Sequence, residues 1–454
     1  MTTRTATPKL SRPQLLQAGL AAGATLSAWP MSRPPALWSQ EVGTPKRGGT
    51  LRARGWDPVH FDFDCFLTEK GNPERQLLDS VDGVEVVDRH TVAFYLKEPF
   101  VWLVDILANA MSMWIVAPEV VEKYGDLKKV ETAIGTGPFL LEQYEPNVKI
   151  VFRRNPDYFR QGLPCVDGVE WLVVQNDSTG LAMYRTGQLD TGPGANWQVR
   201  QHDLESLKKS HPHLHYQEIQ AINAQAIWMR TDKPRFNDVR VRRAISHAID
   251  RQGLIEAVWM RGTIPPAVAP GLAEWTLPLE QLGEGAKYYR YDPAEARRLL
   301  AEAGYVKGLK TTLTASSGYG RDLIDATQMI LRDLKEVGIE AELKMQEYGA
   351  YQATTGQGKF EGMAMGPDAV GRQPDSALYG PYAPDKLRNR GHVNDSKLAA
   401  MVKEQRQLKD REPRKHLIFD IQRYAAEQQY YIYLASLIIT SSWQRYHYSL
   451  RWDQ

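Results

Sequence analysis

An α/β protein of two domains is the architecture that this sequence predicts, and three observations lead to it. The chain has 454 residues, enough for more than one hydrophobic core. Residues 309–345 alternate as strand, helix and strand, with Gly338 where the helix should end. A unit of this length predicts two parallel strands. Residues 236–251 carry an apolar stripe at helical spacing behind Asp238, which predicts a capped amphipathic helix.

The first half of the chain is rich in short β-forming runs. Residues 84–87 and 91–96 are separated by polar residues, which predicts a hairpin. Pro118 is placed to begin a helix and Gly125 to end it. Strands are expected on both sides of the turn at 146–147.

The second half of the chain predicts longer helices between strands. Asp292, followed by Pro293 and Glu295, has the chemistry of a capping box at a helix start. The remaining predicted elements are strands at 171–174 and 431–434 and helices at 179–186, 396–408 and 417–430.

Composition and motifs give no support to several functional classes. The sequence is 43% hydrophobic and 24% charged with a net charge of +2, so no strong field points to nucleic acid or a membrane surface. The chain contains no H-E-x-x-H, G-x-S-x-G, Walker A or C-x-x-C motif. We therefore expect a protein that is not an enzyme, needs no cofactor or resident metal, and binds no nucleic acid.

The N-terminus has the pattern of an export signal. Basic residues precede the uncharged run 15–28, which is shorter than the roughly 20 apolar residues of a membrane-spanning helix. Residues 29–46 are rich in Pro and Ser, as in a linker. We expect 1–44 to be signal and linker, with a twin-arginine-like signal and a periplasmic or extracytoplasmic location. An ordinary amphipathic first helix is the alternative.

Two sets of residues leave alternatives open. Cys65 and Cys165 are the only cysteines, and in an oxidising compartment they either pair or remain two buried thiols. His211, His213 and His215 would share one face of an extended segment, where they could chelate a transition metal. A solvated loop or edge strand is the alternative for these histidines, and the intervening proline favours it.

The sequence FNDVRVRRAISHAIDR at 236–251 resembles the signature F-x-D-x-R-V-R-x-A-I-x-x-A-I-D-R of the bacterial extracellular solute-binding proteins of family 5. This is the peptide- and nickel-binding class that serves ABC importers. Residues 81–100, 135–159 and 184–190 are also similar to segments of that family. The resemblance implies a two-lobed periplasmic-binding-protein-like fold (type II, class C) that closes on its ligand at a hinge.

The resemblance also implies a division of the chain. We expect lobe I to comprise 45–228 and 434–454 and lobe II to comprise 229–433. Members of the family have a long segment where this chain has only 67–81, so lobe I is expected to be shortened. The cleft is then expected to be open on one side.

Candidate ligand-binding residues come from the loop 363–382. In peptide-binding members of the family, an Asp in such a loop pairs with the α-amino group of the ligand, and Asp375 is the better match here, with Asp368 as the alternative. A turn or N-cap role is the competing interpretation of Asp375. Arg372 is a candidate for meeting an anionic group. Tyr379, Trp197 and Trp275 are candidate cleft aromatics, for which a packed core is the competing interpretation.

The function that follows is the extracytoplasmic solute-binding component of an ABC importer. The expected partners are a peptide or similar small solute and the permease subunits, with the chain acting as a monomer. Nickel chelates and oligosaccharides remain alternative ligands because such folds change ligand without changing scaffold. The alternative function is an interaction protein whose degenerate cleft binds no small solute, and an enzyme is the third possibility.

Overall fold

Two β-sheets and a separate hairpin organise the chain. The computed structural model describes residues 49–55, 77–88, 90–108, 118–125, 130–174, 176–192, 198–368 and 371–444. The strands are β1 (Thr50–Gly55), β2 (Val81–Asp88), β3 (Thr91–Leu96), β4 (Phe139–Glu145), β5 (Lys149–Arg154), β6 (Gly168–Val173), β7 (Gln198–Val199), β8 (His215–Gln220), β9 (Ala224–Met229), β10 (Gly262–Thr263), β11 (Leu309–Ser316), β12 (Ile339–Gln346), β13 (Met363–Asp368) and β14 (Tyr431–Trp443).

The helices lie mainly in the second half of the chain, as the sequence predicts. They are α1 (Leu103–Leu107), α2 (Pro118–Tyr124), α3 (Asp177–Arg185), α4 (Gln201–Ser210), α5 (Val239–Ala248), α6 (Arg251–Leu254), α7 (Pro293–Glu302), α8 (Arg321–Glu336), α9 (Tyr348–Ala353), α10 (Pro374–Tyr382), α11 (Ser396–Gln407) and α12 (Arg411–Gln428). Among the described residues, none of these helices is both long and apolar enough to span a bilayer.

The smaller sheet has the strand order β1-β6-β5-β4, with β1 parallel to β6 and the other pairs antiparallel. The predicted hairpin is confirmed as the antiparallel pair β2 and β3. A small core lies beside α3 and α4, formed by residues such as Tyr184, Leu204 and Leu207. Tyr184 also joins this core to the end of β14, through a bond of 2.6 Å between its hydroxyl and Ser442 Oγ.

The larger sheet has the order β10-β14-β9-β13-β11-β12, and β7 and β8 pair with the far half of β14. The predicted parallel pairing of β11 and β12 is confirmed, with Leu313 directly beside Leu343. One face packs against α5, α7 and α8 through side chains such as Leu313, Ile330 and Ile245. The opposite face forms a second core with α10, α11 and α12, which includes Trp228, Leu378 and Ile418.

Helix α5 has the cap and the apolar stripe that its sequence predicts. An oxygen of Asp238 accepts from the Arg240 amide at 2.8 Å, and Asp250 caps α6 by accepting from the Gly253 amide at 2.9 Å. Arg242 lies mostly off the apolar stripe, yet it is only 3% exposed. Its guanidinium donates to the carbonyls of Phe236, Asn237 and Gln428, so it ties α5 to the end of α12.

Two elements extend well beyond the bounds that the sequence predicts, and one helix cap differs from the expectation. Helix α12 begins at Arg411 rather than 417. Strand β14 continues to Trp443 rather than ending at 434. At α7 only half of the capping box forms: Asp292 accepts from the Glu295 amide at 2.9 Å, whereas the Glu295 side chain bonds to Arg298.

Several expectations fall outside the described residues. These are the signal and linker at 1–44, Cys65, Trp197 and most of the shortened stretch 67–81. They stay predictions, as does the boundary between the lobes.

Candidate functional site

Strand β14 connects the two halves of the larger sheet, because it pairs with β9 in one half and with β8 in the other. Residues 431–435 of β14 pair with β9, and residues 438–443 of the same strand pair with β8. Only residues 221–223 separate β8 from β9. Two adjacent antiparallel segments, β14 and the pair β8–β9, therefore run between the two halves.

Close backbone packing holds the crossing together. The Ala221 amide donates to the Leu437 carbonyl at 2.9 Å, and Gln220 Nε2 donates to Ser436 Oγ at 3.0 Å. The Gly271 amide donates to the Ala221 carbonyl at 3.2 Å. A Cβ atom on Gly271 would lie 2.5 Å from that carbonyl oxygen, so glycine is required at this close approach.

Asp368 lies at the end of β13, directly opposite Ala224 at the start of β9 and thus beside the crossing. It is 4% exposed, and its Oδ1 atom accepts from Arg390 Nη1 at 2.8 Å. The Arg390 guanidinium stacks on Trp228, 4.2 Å from the ring centroid. A buried carboxylate, a guanidinium and an aromatic ring thus lie together on one face of the sheet.

Two tyrosines, Tyr351 and Tyr319, pack on the same face of the sheet as Trp228. The Tyr351 hydroxyl donates to the Met365 carbonyl at 2.8 Å, and the Tyr351 ring contacts Tyr319 edge to face. Burial raises the pKa of Tyr319 to about 12, so its hydroxyl stays protonated at neutral pH. Gly366 leaves room for this packing, because a Cβ atom there would lie 2.8 Å from the Tyr351 hydroxyl.

Asp375 lies in the first turn of α10 and is fully buried. Its Oδ1 atom accepts from Gln405 Nε2 at 2.5 Å and lies 3.3 Å from Arg406 Nε. Burial raises the pKa of the Asp375 carboxyl above its ordinary value, while the charge of Arg406 and the bond from Gln405 oppose that rise. Its Oδ2 atom has no hydrogen-bond partner among the described residues.

Of the other predicted site residues that the structure describes, two pack against the core and one is exposed. Tyr379 and Trp275 contact residues that are linked to Asp375: the Arg406 guanidinium is 3.7 Å from the Tyr379 centroid, and Trp275 contacts Trp102 edge to face at 5.4 Å. Arg372 is exposed in the segment before α10.

The three histidines at 211–215 do not converge on one point, although the ring centroids of His211 and His213 are 5.8 Å apart. His211 bonds to Ser210 Oγ and the Arg185 carbonyl, while His215 stacks on Trp443. No group of three or more His, Cys, Asp or Glu is placed to hold a metal ion in the described part of the chain.

Sequence reasoning missed Arg390, Gln405, Arg406 and Trp102, which contact the predicted aspartates directly or through one neighbour. Gln405 carried a usable signal, because it occupies an apolar-stripe position of α11 and is fully buried. A polar residue at such a position needs a buried partner. Arg390 and Trp102 carried no comparable signal.

Comparison with known proteins agrees with this geometry. Residues 56–388 match the family described as bacterial extracellular solute-binding proteins, family 5 Middle. The chain belongs to this family.

Curated relatives include the glutathione-binding protein GsiB of Salmonella paratyphi A, which is 29% identical over 320 residues. The matched region covers 66% of this chain and 58% of that protein. GsiB of Escherichia coli K12 is 28% identical over 295 residues, covering 63% of this chain and 53% of that protein. The chain thus spans less than two thirds of the length of these relatives.

Solved structures establish the fold. The periplasmic binding protein DppA of Helicobacter pylori, in complex with the peptide STSA, has a TM-score of 0.72 and 20% identity, covering 88% of this chain and 94% of that one. The oligopeptide-binding protein AppA of Bacillus subtilis, in complex with a nonapeptide, has a TM-score of 0.72 and 17% identity, covering 88% and 95%. The predicted two-lobed α/β binding-protein fold is confirmed.

Proposed function

We propose that this chain is the extracytoplasmic solute-binding component of an ABC importer, capturing a peptide or similar solute between its lobes. The observation that carries the proposal is the double crossing of β14 and β8–β9 in a chain of family 5. Closure of lobes about such a crossing is driven by contacts that the solute makes only in the closed form. Export, a monomeric state and docking to permease subunits are parts of the same proposal.

For the anchor of a ligand ammonium group, we rank Asp368 above Asp375. Asp368 lies beside the crossing at a strand end, the kind of position that ligands occupy in α/β sheets. Both carboxylates are buried and paired, but Gln405 and Arg406 both approach the Oδ1 atom of Asp375, whereas Asp368 is paired with Arg390. A ligand at Asp375 would have to displace two partners. Both assignments remain proposals, as do roles for Arg372, Tyr379, Trp197 and Trp275 in ligand binding.

The alternative function is an interaction protein that binds no small solute. Its support is that side chains of the chain itself, including Leu77, Phe100 and Trp102, pack against α10 and α11. Segments that fill space between lobes would leave less room for a ligand. We propose no enzymatic activity.

A thermal-shift screen tests the proposed function. Purified protein is stripped of bound solute by unfolding and refolding, then tested with glutathione, dipeptide and oligopeptide pools and nickel–histidine. A solute at 100 times its Kd adds about 2.7 kcal/mol to the free energy of unfolding, which raises the melting temperature measurably. The absence of a shift with every pool, for a cooperatively folded protein, would favour the interaction protein.

A further inference from the structure

Leu77, Val101 and Trp102 meet helix α11 in a seam of buried hydrogen bonds. The Val101 amide donates to the Arg406 carbonyl at 2.9 Å, and Arg406 Nη2 donates to the Leu77 carbonyl at 2.8 Å. Trp102 Nε1 donates to Gln405 Oε1 at 2.8 Å. On the expected division of the chain, each of these bonds joins lobe I to lobe II.

Asp375 lies at the centre of the seam. Gln405 connects it to Trp102, because the amide of Gln405 donates to Asp375 and its oxygen accepts from the indole. Arg406 connects it to Leu77 in the same way, through the ion pair on one side and the carbonyl on the other. A buried carboxylate and guanidinium are tolerated only when they are paired and bonded.

Apolar side chains close the seam around these polar groups. Leu77, Phe100, Trp102 and Ile106 are buried in the same core as α10, α11 and α12. The Arg406 guanidinium also lies over the Phe100 ring, 4.1 Å from its centroid. Separation of the lobes would expose this apolar surface to water, which is unfavourable in proportion to its area.

The rim of the seam is complementary in charge. Asp79 pairs with Lys386 and also accepts from the Tyr379 hydroxyl at 3.4 Å. Glu98 pairs with Lys403 at 2.9 Å and accepts from Gln407 Nε2 at 2.7 Å. The acidic groups, Asp79 and Glu98, lie on the expected lobe I side of the seam, and the basic groups, Lys386 and Lys403, lie on the expected lobe II side. This complementarity favours one position of the two sides relative to each other.

We infer that Asp375, Gln405 and Arg406 form a latch that holds the two lobes together in the absence of solute. The inference rests on the proposed function through its lobe boundary. In such a protein the closed form is already populated without ligand, and solute exchange requires the latch to open. Solute can enter and leave only while the latch is open, so both rates fall as the latch is shut for a larger fraction of the time.

Hydrogen exchange of the solute-stripped protein tests the latch at the Val101 amide. We expect wild type to protect this amide strongly. Gln405→Met keeps the side-chain volume but removes the bonds to Trp102 and Asp375, and it should speed Val101 exchange by about tenfold while the amides of β11 stay unchanged. Asp79→Asn perturbs only the rim and should speed exchange by about threefold.

Glu284→Gln is the matched control, because Glu284 forms a similar surface pair with Lys287 away from the seam. It should leave Val101 exchange unchanged. An unprotected Val101 in wild type overturns the latch, and so does exchange that stays unchanged in both seam variants. If the Val101 amide exchanges at the same rate as the β11 amides in every variant, the latch is also overturned, because the seam would then open only when the whole protein unfolds.

Failure of the latch and failure of the proposed function are distinguishable. A protein that shows no thermal shift with any solute, yet protects Val101 in a Gln405-dependent manner, retains the latch and lacks the function. A protein that binds solute with an unprotected Val101 has the function without the latch.

Discussion

At the scale of single residues, Asp395 combines a helix cap with two tyrosine contacts. It accepts from the Leu398 amide at 3.0 Å and from the hydroxyls of Tyr424 and Tyr430 at 2.9 and 2.8 Å. Burial alone would raise the pKa of Asp395, but these hydrogen bonds outweigh it and lower the pKa below its ordinary value. One carboxylate thus ties the start of α11 to the end of α12.

We predict that Asp395→Ala lowers the free energy of unfolding by about 2 kcal/mol, because it removes a cap and leaves two hydroxyls without their acceptor. Since the folded-state pKa is lowered, the stabilisation is present above the ordinary carboxyl pKa and is lost as the pH falls through the lowered value. Urea denaturation at neutral and acidic pH measures both effects.

Asp410→Ala is the control for that variant, because Asp410 occupies the N-cap of α12 without a side-chain cap bond. It should change the free energy of unfolding by less than about 0.5 kcal/mol. Equal losses in the two variants would show that the contacts of Asp395 add nothing to stability.

We expect substitutions at the two aspartates of the candidate site to affect solute affinity differently. We predict that Asp368→Asn weakens binding of the solute found in the thermal-shift screen by tenfold or more, since losing one partner of a desolvated charge pair commonly costs about 2–5 kcal/mol. Asp375→Asn should leave solute affinity undiminished and instead speed exchange of the Val101 amide.

Calorimetric titration of both variants with free and N-acetylated peptides measures this difference. Acetylation should weaken binding to wild type and have little effect on Asp368→Asn. If Asp375→Asn is the variant that loses peptide affinity, Asp375 is the anchor and our ranking of the two residues is wrong.

At the scale of elements, the crossing depends on the absence of a side chain at Gly271. We predict that Gly271→Ala lowers the free energy of unfolding by about 1–3 kcal/mol, because its Cβ atom would collide with the Ala221 carbonyl oxygen. Thermal and urea denaturation measure the loss.

Gly83→Ala provides the comparison, because a Cβ atom there has no heavy atom within 4 Å. We expect that variant to be as stable as wild type. A Gly271→Ala variant of unchanged stability would mean that the crossing relaxes without cost.

Elements with strong local signals were predictable from sequence. Asp238 caps its helix, and β11 and β12 are parallel, because capping residues and the apolar period act within one element. The start of α12 was missed because its first residues, 411–416, are polar apart from Pro413 and largely exposed, and so they carry no apolar stripe. The full length of β14 was missed because two different partners, β9 and β8, cover its two halves.

The candidate site was predictable only in part. The sequence identifies Asp368 and Asp375 as candidate anchors through the family's loop, but their partners come from later segments. Trp102 and Gln405 are separated by 303 positions along the chain, and no local pattern links them. The interpretation of Asp375 therefore changes once α11 is in place.

At the scale of the whole molecule, membership of family 5 and the double crossing of β14 and β8–β9 support the proposed binding protein, whose lobes would close about that crossing. The seam at Asp375 adds a ligand-independent contact between the expected lobes. Together they predict that the solute is released slowly once the lobes have closed around it.

Native mass spectrometry of protein purified from its own cell envelope, without a denaturing step, tests the central claim most directly. We expect a fraction of the chains to carry the added mass of one small solute, which is released when the same sample is denatured. A folded chain with only its own mass, which also fails to take up glutathione or peptides added at high concentration, would contradict the account.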